Sequence, residues 1–314
     1  MEKPDSGAPG PKSGGTLPPI DPRPANSNRR PALPLSIDWE DWFQLCCDPF
    51  DRPEALEQFE DRLELATERT LDLCEELGAR ATWFCLADQS RRHPELLRRI
   101  AGAGHEIALH GWTHHRATDL DPEEFRLSLL KGKALLEDLA GVSVAGFRAP
   151  EWSLRGRAES YWGMLPELGF HFDSSRAPLN ILGDPAWRRE AHRLEGGLWE
   201  LPPPVAGAGA LTVPLWGWAI RLLPAAWLRQ RILELAQAGA GNPLVLHPWE
   251  LDPAQPTLPS GTPFGHRFAH GAGLRGLDNR LRELWAGLRL VPMGQWVASQ
   301  ETGSGQEVQR LGRA

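Results

Sequence analysis

Apolar positions along the chain follow two alternating periods. From Glu54 to Leu77, Leu56, Phe59, Leu63, Ala66, Thr70, Leu73 and Leu77 step by three and four, which predicts a long helix with one buried stripe, stopped by Gly78. Short apolar runs on either side predict strands: Leu33 to Asp38, Ala81 to Leu86, His105 to His110 and Val144 to Arg148. Further strands are expected near Gly169 to Asp173, Leu198 to Leu201, Pro243 to His247 and Leu288 to Pro292. Helices fill the spaces. One opens at His93-Pro94 and ends near Gly102 to Gly104; others cover Ala158 to Leu168, Ala225 to Ala238 and Asp278 to Gly287. A further helix starts at Asp121, with Pro122 in the first position, Glu124 completing a capping-box pattern, and Phe125, Leu129, Leu136 and Leu139 on its inner face. Strand and helix alternate, so the strands are parallel and joined by helical crossovers. The expected fold class is α/β, a distorted, closed or nearly closed (β/α)7-8 barrel, with no internal repeat.

Composition adjusts this picture at the ends. Residues 1–32 are rich in Pro, Gly and Ser and lack the apolar stretch of a signal peptide, so they read as a disordered tail. The catalytic barrel is expected over 33–298 and a flexible tail over 299–314. No run reaches ~18 apolar residues, so no transmembrane segment is expected, and a cytoplasmic location is the default. A net charge of -7 with scattered Arg and Lys argues against a nucleic-acid partner. The cysteines at 46, 47, 74 and 85 have no CxxC spacing and read as free thiols. The 14 Trp beside a single Tyr suit a cleft that stacks sugar rings, although most single Trp are core residues.

The polar residues change the reading from a fold to a site. Asp38, His110, Arg148, Asp173 and His247 each end a predicted strand. In a parallel barrel the strand C-termini meet at one face, where active sites lie. His110-Gly-Trp-Thr-His114 has a spacing that lets both imidazoles reach one metal ion, while the adjacent His115 points elsewhere. In Ser36-Ile-Asp38-Trp-Glu40-Asp41-Trp42, one carboxylate can bind the metal while a neighbour handles a proton. Arg148 can hold Asp38 ionised, and His247, at the end of a buried strand, suits a proton donor.

These motifs, in this order, resemble the polysaccharide deacetylase family (NodB homology, carbohydrate esterase 4): SIDWED, HGWTHH, FRAP, FDSS and LVLH. SIDWEDWFQ, FRAPEWS, HPWELDPAQP and LRLVPMGQW resemble more narrowly the deacetylases of exosortase-linked exopolysaccharide clusters. The resemblance runs from about Leu33 to Val297. It implies a distorted barrel, a divalent metal that is usually zinc, and hydrolysis of N-acetyl groups from an N-acetylated polysaccharide or oligosaccharide. It makes Asp38 the base, Arg148 its orienting partner, His247 the acid, and His110 and His114 metal ligands. FDSS, with Asp173 and Ser174, would line the sugar groove, together with Trp152 and Trp249. Where many members have adjacent aspartates, Trp39 follows Asp38 here. The carboxylate ligand is then Glu40 or Asp41, and Glu40 is preferred because residues 38 and 40 share a face. Two other classes fit the same barrel: a small cyclic amide hydrolase (allantoinase- or imidase-like) and a non-catalytic polysaccharide-binding barrel.

Overall fold

A computed structural model describes residues 32–47, 50 and 58–311. The reading of 1–32 as a tail lies outside these residues, apart from Ala32, which opens the first strand.

That strand, β1 (Ala32–Trp39), lies one strand in from an end of the sheet and pairs with three others. It is flanked by β2 (Thr82–Cys85) and β10 (Leu244–Leu246), and its first residues pair with β11 (Arg289–Val291). Beyond β2 come β3 (Glu106–Leu109), β4 (Gly146–Phe147), β5 (Phe172–Asp173), β7 (Trp199–Glu200) and β6 (His192–Arg193). The result is a curled nine-stranded half-barrel, and every pairing in it is parallel except β6 with β7. A separate hairpin, β8 (Val205–Ala206) with β9 (Val213–Pro214), lies off the sheet.

Among the described residues no ladder joins β6 to β10, so the barrel is not closed. Side chain and backbone bridge the gap instead. Asn242 Nδ2 donates to the carbonyls of Arg189 (2.5 Å) and Pro202 (2.9 Å), and Ala191 N–H donates to the Ala240 carbonyl (2.9 Å).

Period-two alternation divides the core. Leu33, Leu35, Ile37 and Trp39 of β1 join Trp83, Cys85, Ile107 and Leu109 in the large cluster under the helices. The intervening residues point into the curl. There Phe84, Ala108, Phe172 and Leu201 meet Val291, Met293, Trp296 and Val297. Since β1 and β2 are covered on both faces, their burial is nearly continuous.

The outer layer includes α1 (Leu63–Glu76), α2 (Ala87–Arg92), α3 (Pro94–Gly102) and α4 (Pro122–Ala140). The capping box at Asp121 and Glu124 forms as expected from the sequence, with reciprocal bonds of 2.8 and 2.9 Å. After the short α5 (Met164–Glu167) come α6 (Trp218–Leu222), α7 (Ala225–Ala238), α8 (Phe264–Gly271), α9 (Leu277–Trp285) and α10 (Met293–Leu311).

Three expected elements differ, the first being the helix expected over Ala158 to Leu168, which is a 3-10 helix over Gly156–Gly163 followed by the short α5. The helix expected from Glu54 starts at Leu63; residues 51–57 lie outside the described set. Phe59 does not extend the helical stripe but stacks with Phe43 and Phe50 and packs edge-on to Trp42. Packing against the loop after β1 thus outweighs helical periodicity there. The tail expected from 299 is helical as far as Leu311, because α10 starts at Met293.

Candidate active site

The expected strand-end residues converge at one end of the curled sheet. Asp38 is the penultimate residue of β1, Asp173 ends β5, and His110, Arg148 and His247 directly follow β3, β4 and β10. Parallel strands in register bring these positions together without any further device.

Glu40 and the two histidines form the tightest group. Glu40 Oε1 lies 2.8 Å from His110 Nε2 and 2.9 Å from His114 Nε2. Gly111, at φ 100°, turns the chain directly after β3 so that His114 returns to the same point. A side chain there would be strained and would press on the Thr113 carbonyl at 3.3 Å. His110 Nδ1 is 2.7 Å from the Arg148 carbonyl, which leaves Nε2 as the ring nitrogen facing Glu40. One carboxylate and two imidazoles are a donor set that suits zinc and related divalent ions. The carboxyl of Glu40 is buried, which opposes ionisation, but the His114 charge and the bonds to both imidazoles hold it well below the ordinary range.

Asp41, the alternative ligand, faces away. Its carboxylate accepts from the N–H groups of Trp42 (2.7 Å) and Arg62 (2.8 Å), and burial raises its pKa to about 7. It ties the loop after β1 to the start of α1.

Asp38 is gripped from one side only. Its Oδ1 accepts from Arg148 Nη1 at 2.5 Å, while Oδ2 stands 3.7 Å from His247 Nε2, beyond hydrogen-bond range. Arg148 is fully buried, lies 4.2 Å from the centre of the Phe84 ring, and donates through Nη2 to Ser36 Oγ (3.0 Å) and Ser174 Oγ (2.8 Å). Its guanidinium is thereby fixed with its charge on Asp38.

A residue not singled out from the sequence completes this side. Glu250, also fully buried, accepts from the backbone N–H of His247 and lies 3.1 Å from His247 Nδ1. Its other oxygen faces Arg221 Nε at 3.3 Å. The signal was present as His247-Pro-Trp-Glu250, an i, i+3 spacing that the single turn Pro248–Leu251 closes. Burial opposes charging of His247. The Glu250 bond and the charges of Glu40, Glu250 and Asp38 outweigh it and bring its pKa to about 9.

The expected sugar-contacting residues divide. Trp249 stands half-buried beside the site, whereas Trp152 is buried against Arg148 and does not present a surface to a sugar. Trp152 packs on Trp216 at 5.1 Å, and its buried Nε1 has no partner. Trp249 stacks on His270 at 4.3 Å and lies 5.3 Å from the His247 ring. Asp173 and Ser174 do not face a groove, because both are fully buried. Ser174 Oγ accepts from Arg148 and donates to the Leu201 carbonyl (2.7 Å). Asp173 accepts from Trp162 Nε1 and Ser175 Oγ, each at 2.6 Å. Two residues at the end of one strand would need opposite orientations to reach both Arg148 and a sugar, and the inward one is taken by Arg148.

Asp173 also pairs across the ladder with the buried Glu200 of β7. Burial first, then the Asp173 charge, push Glu200 well above the usual carboxylate range. Burial beside Asp173 thus favours the protonated form of Glu200. A raised folded pKa contributes stability that is complete at low pH and lost as pH rises through that pKa. Glu200→Gln keeps a donor and does not ionise. Its unfolding free energy, followed by denaturant titration across pH, is expected to fall less than that of the wild type as pH rises above the ordinary carboxylate range. An equal loss over that range would contradict the raised pKa of Glu200.

A family model described as polysaccharide deacetylase matches residues 49–166. The chain carries a polysaccharide deacetylase domain. A second model, a domain of unknown function (DUF3473), matches residues 174–298. The deacetylase half supplies His110, His114 and Arg148, and the second half supplies His247 and Glu250. Asp38 and Glu40, on and just after the strand that pairs with β10 and β11 of the second half, precede both matched segments. The site therefore needs both halves of one sheet.

The chain is 27% identical over 144 residues to a peptidoglycan deacetylase of Helicobacter pylori, covering 44% of this chain and 48% of that protein. It is 26% identical over 114 residues to chitin deacetylase 1 of Cryptococcus neoformans, covering 35% and 24%. The chain thus spans about half or less of these curated relatives. In fold it is similar to a presumed polysaccharide deacetylase of Mycobacterium smegmatis, with a TM-score of 0.57, 23% identity and coverage of 92% and 96% of the two chains. Among the described residues, no helix is long and apolar enough to cross a membrane.

Proposed function

We propose that this chain hydrolyses N-acetyl groups on the amino sugars of a polysaccharide, releasing acetate and leaving a free amine. The observation that carries the reading is the pairing of Asp38 and His247. Each is anchored on one side, by Arg148 and by Glu250, and each turns its unanchored atom toward the other across 3.7 Å. Glu40, His110 and His114 lie beside that gap. The relatives named for peptidoglycan and chitin support a polymer of N-acetylated amino sugars as the substrate class.

Glu40, His110 and His114 would hold a divalent cation, which we read as zinc. When bound, such an ion polarises the acetyl carbonyl and favours deprotonation of water. Asp38 Oδ2, left free by Arg148, takes the proton of the attacking water as the new C–O bond forms. His247 Nε2, left free by Glu250, gives a proton to the amide nitrogen as the C–N bond breaks, so that an amine leaves rather than an amide anion. The buried setting strengthens both charges at the reacting carbonyl. Trp249, half-buried and stacked beside the His247 ring, offers apolar surface to a sugar ring. We read the polymer as an exopolysaccharide, from the likeness of SIDWEDWFQ and HPWELDPAQP to that group of deacetylases.

The test is acetate release from chito-oligosaccharides, peptidoglycan fragments and N-acetylated exopolysaccharide, with chelator and after zinc is restored. Acetate is expected to appear, to stop with chelator and to return with zinc. Ring opening of small cyclic amides without acetate release from any glycan would favour the cyclic amide hydrolase instead.

A further inference from the structure

The two histidines of the Glu40 cluster are supported differently. A metal-binding imidazole is oriented through its second nitrogen, most often by a carbonyl or a carboxylate. His110 follows this pattern, with Nδ1 2.7 Å from the Arg148 carbonyl. His114 Nδ1 instead lies 3.3 Å from the thiol sulfur of Cys46.

Cys46 is buried and fits the role in both directions. Its thiol donates to the His114 carbonyl at 3.1 Å, and its sulfur is left to accept from the ring Nδ1–H. One side chain thus fixes both the ring and the backbone of His114. The position of Cys46 is set in turn. Its N–H donates to Glu151 Oε1 at 3.3 Å, while Glu151 Oε2 accepts from Arg116 Nε at 2.8 Å and Nη2 at 2.6 Å. Glu151 sits at φ 51° and its neighbour Trp152 at φ 50°, the non-glycine residues with positive φ among the described ones. L residues with side chains rarely adopt that region, and its cost is tolerated where the surroundings fix the conformation. Here the left-handed turn lets Glu151 reach the loop after β1 and the loop after His114 together.

We infer that Cys46 is the positioning residue for His114, held in place by the Glu151–Arg116 pair, and that this thiol sets how tightly the Glu40, His110 and His114 cluster binds its metal. The inference rests on the reading of those three residues as ligands. It joins three separate segments, the loop after β1, the His110–His114 loop and the turn after Arg148, into one support for a single imidazole.

The test is zinc affinity of the full chain, measured by competition with a chromophoric chelator after metal stripping, with melting curves of the stripped proteins as a check on folding. Cys46→Ala is expected to weaken zinc binding by roughly 10- to 100-fold. Cys46→Ser keeps a group that accepts from Nδ1 and donates to the carbonyl, and is expected to recover most of that loss. Glu151→Gln, which loses the charge that holds Arg116, is expected to weaken binding less than Cys46→Ala but measurably. The visible spectrum of the cobalt-loaded protein is expected to change in Cys46→Ala and not in Cys46→Ser. If Cys46→Ala binds zinc as the wild type does while His114→Ala does not, the thiol is packing only and the inference fails. If His114→Ala also binds as the wild type does, the ligand reading itself fails. Should Cys46→Ala not fold, wild-type affinity in both Cys46→Ser and Glu151→Gln with an unchanged cobalt spectrum in Glu151→Gln would remove the proposed support chain.

Discussion

His110→Ala and His114→Ala are each expected to lose metal and acetate release together. Each deletes one of the two imidazoles that meet Glu40 Oε1 within 2.9 Å. Loss of an outer partner of a metal ligand costs about 10- to 100-fold, so loss of a ligand is expected to cost at least ~100-fold in affinity. His110→Ala has a further consequence. His110 is 1% exposed, and its removal leaves the Arg148 carbonyl without its 2.7 Å contact and Glu40 as a buried charge with one partner fewer. A lower melting temperature is therefore expected for His110→Ala even in the stripped protein, and a smaller change for His114→Ala. Metal content of the purified variants and acetate release under zinc excess measure both effects. Full metal occupancy and turnover in either variant would exclude that histidine as a ligand.

Asp38→Asn is expected to separate metal binding from turnover. Asparagine preserves the volume, and its carbonyl oxygen can still accept from Arg148 Nη1. The atom facing His247 becomes an NH2 group, which cannot take a proton from water. Loss of a positioned base lowers turnover by about 10²- to 10⁴-fold, while Glu40, His110 and His114 keep their geometry and zinc affinity stays within a few-fold. Arg148 is left as an uncompensated charge with 0% exposure. Breaking such a buried pair costs roughly 3–5 kcal/mol, so a lower melting temperature accompanies the loss, and activity is to be read where the variant is still folded. Acetate release at the wild-type rate would show that Asp38 is not the base.

The elements with strong periodicity were legible in the chain. The parallel strands β1, β2, β3 and β10 and the helices α4 and α7 lie where alternation and capping place them. The two-residue strands β6, β8 and β9 were not. Two residues carry no measurable period, and these strands form because neighbouring backbone is already in place. The start of α1 was misplaced because Phe59 has the right spacing for the helix but a better aromatic contact outside it, among Phe43, Phe50 and Trp42.

The site shows the same division. That Asp38, His110, Arg148 and His247 share one end of the sheet follows from sequence alone, because each ends or follows an apolar run and parallel strands place such positions together. Which carboxylate faces the histidines does not. Glu40 and Asp41 are neighbours of equal chemistry, and the turn that closes from Glu40 N–H onto the Asp38 carbonyl at 3.0 Å, with Arg62 drawing Asp41 toward α1, decides between them. Contacts across 29 and 68 positions of chain leave no local pattern: Glu250 was missed for its link to Arg221, and Cys46 for its contact with His114. Sequence by itself determined the strand ends and the residue types gathered there, since period and strand direction are local properties of the backbone. Only the tertiary structure decided which oxygen, nitrogen or sulfur atom faces which, since that depends on loops whose course is set by packing against distant parts of the chain.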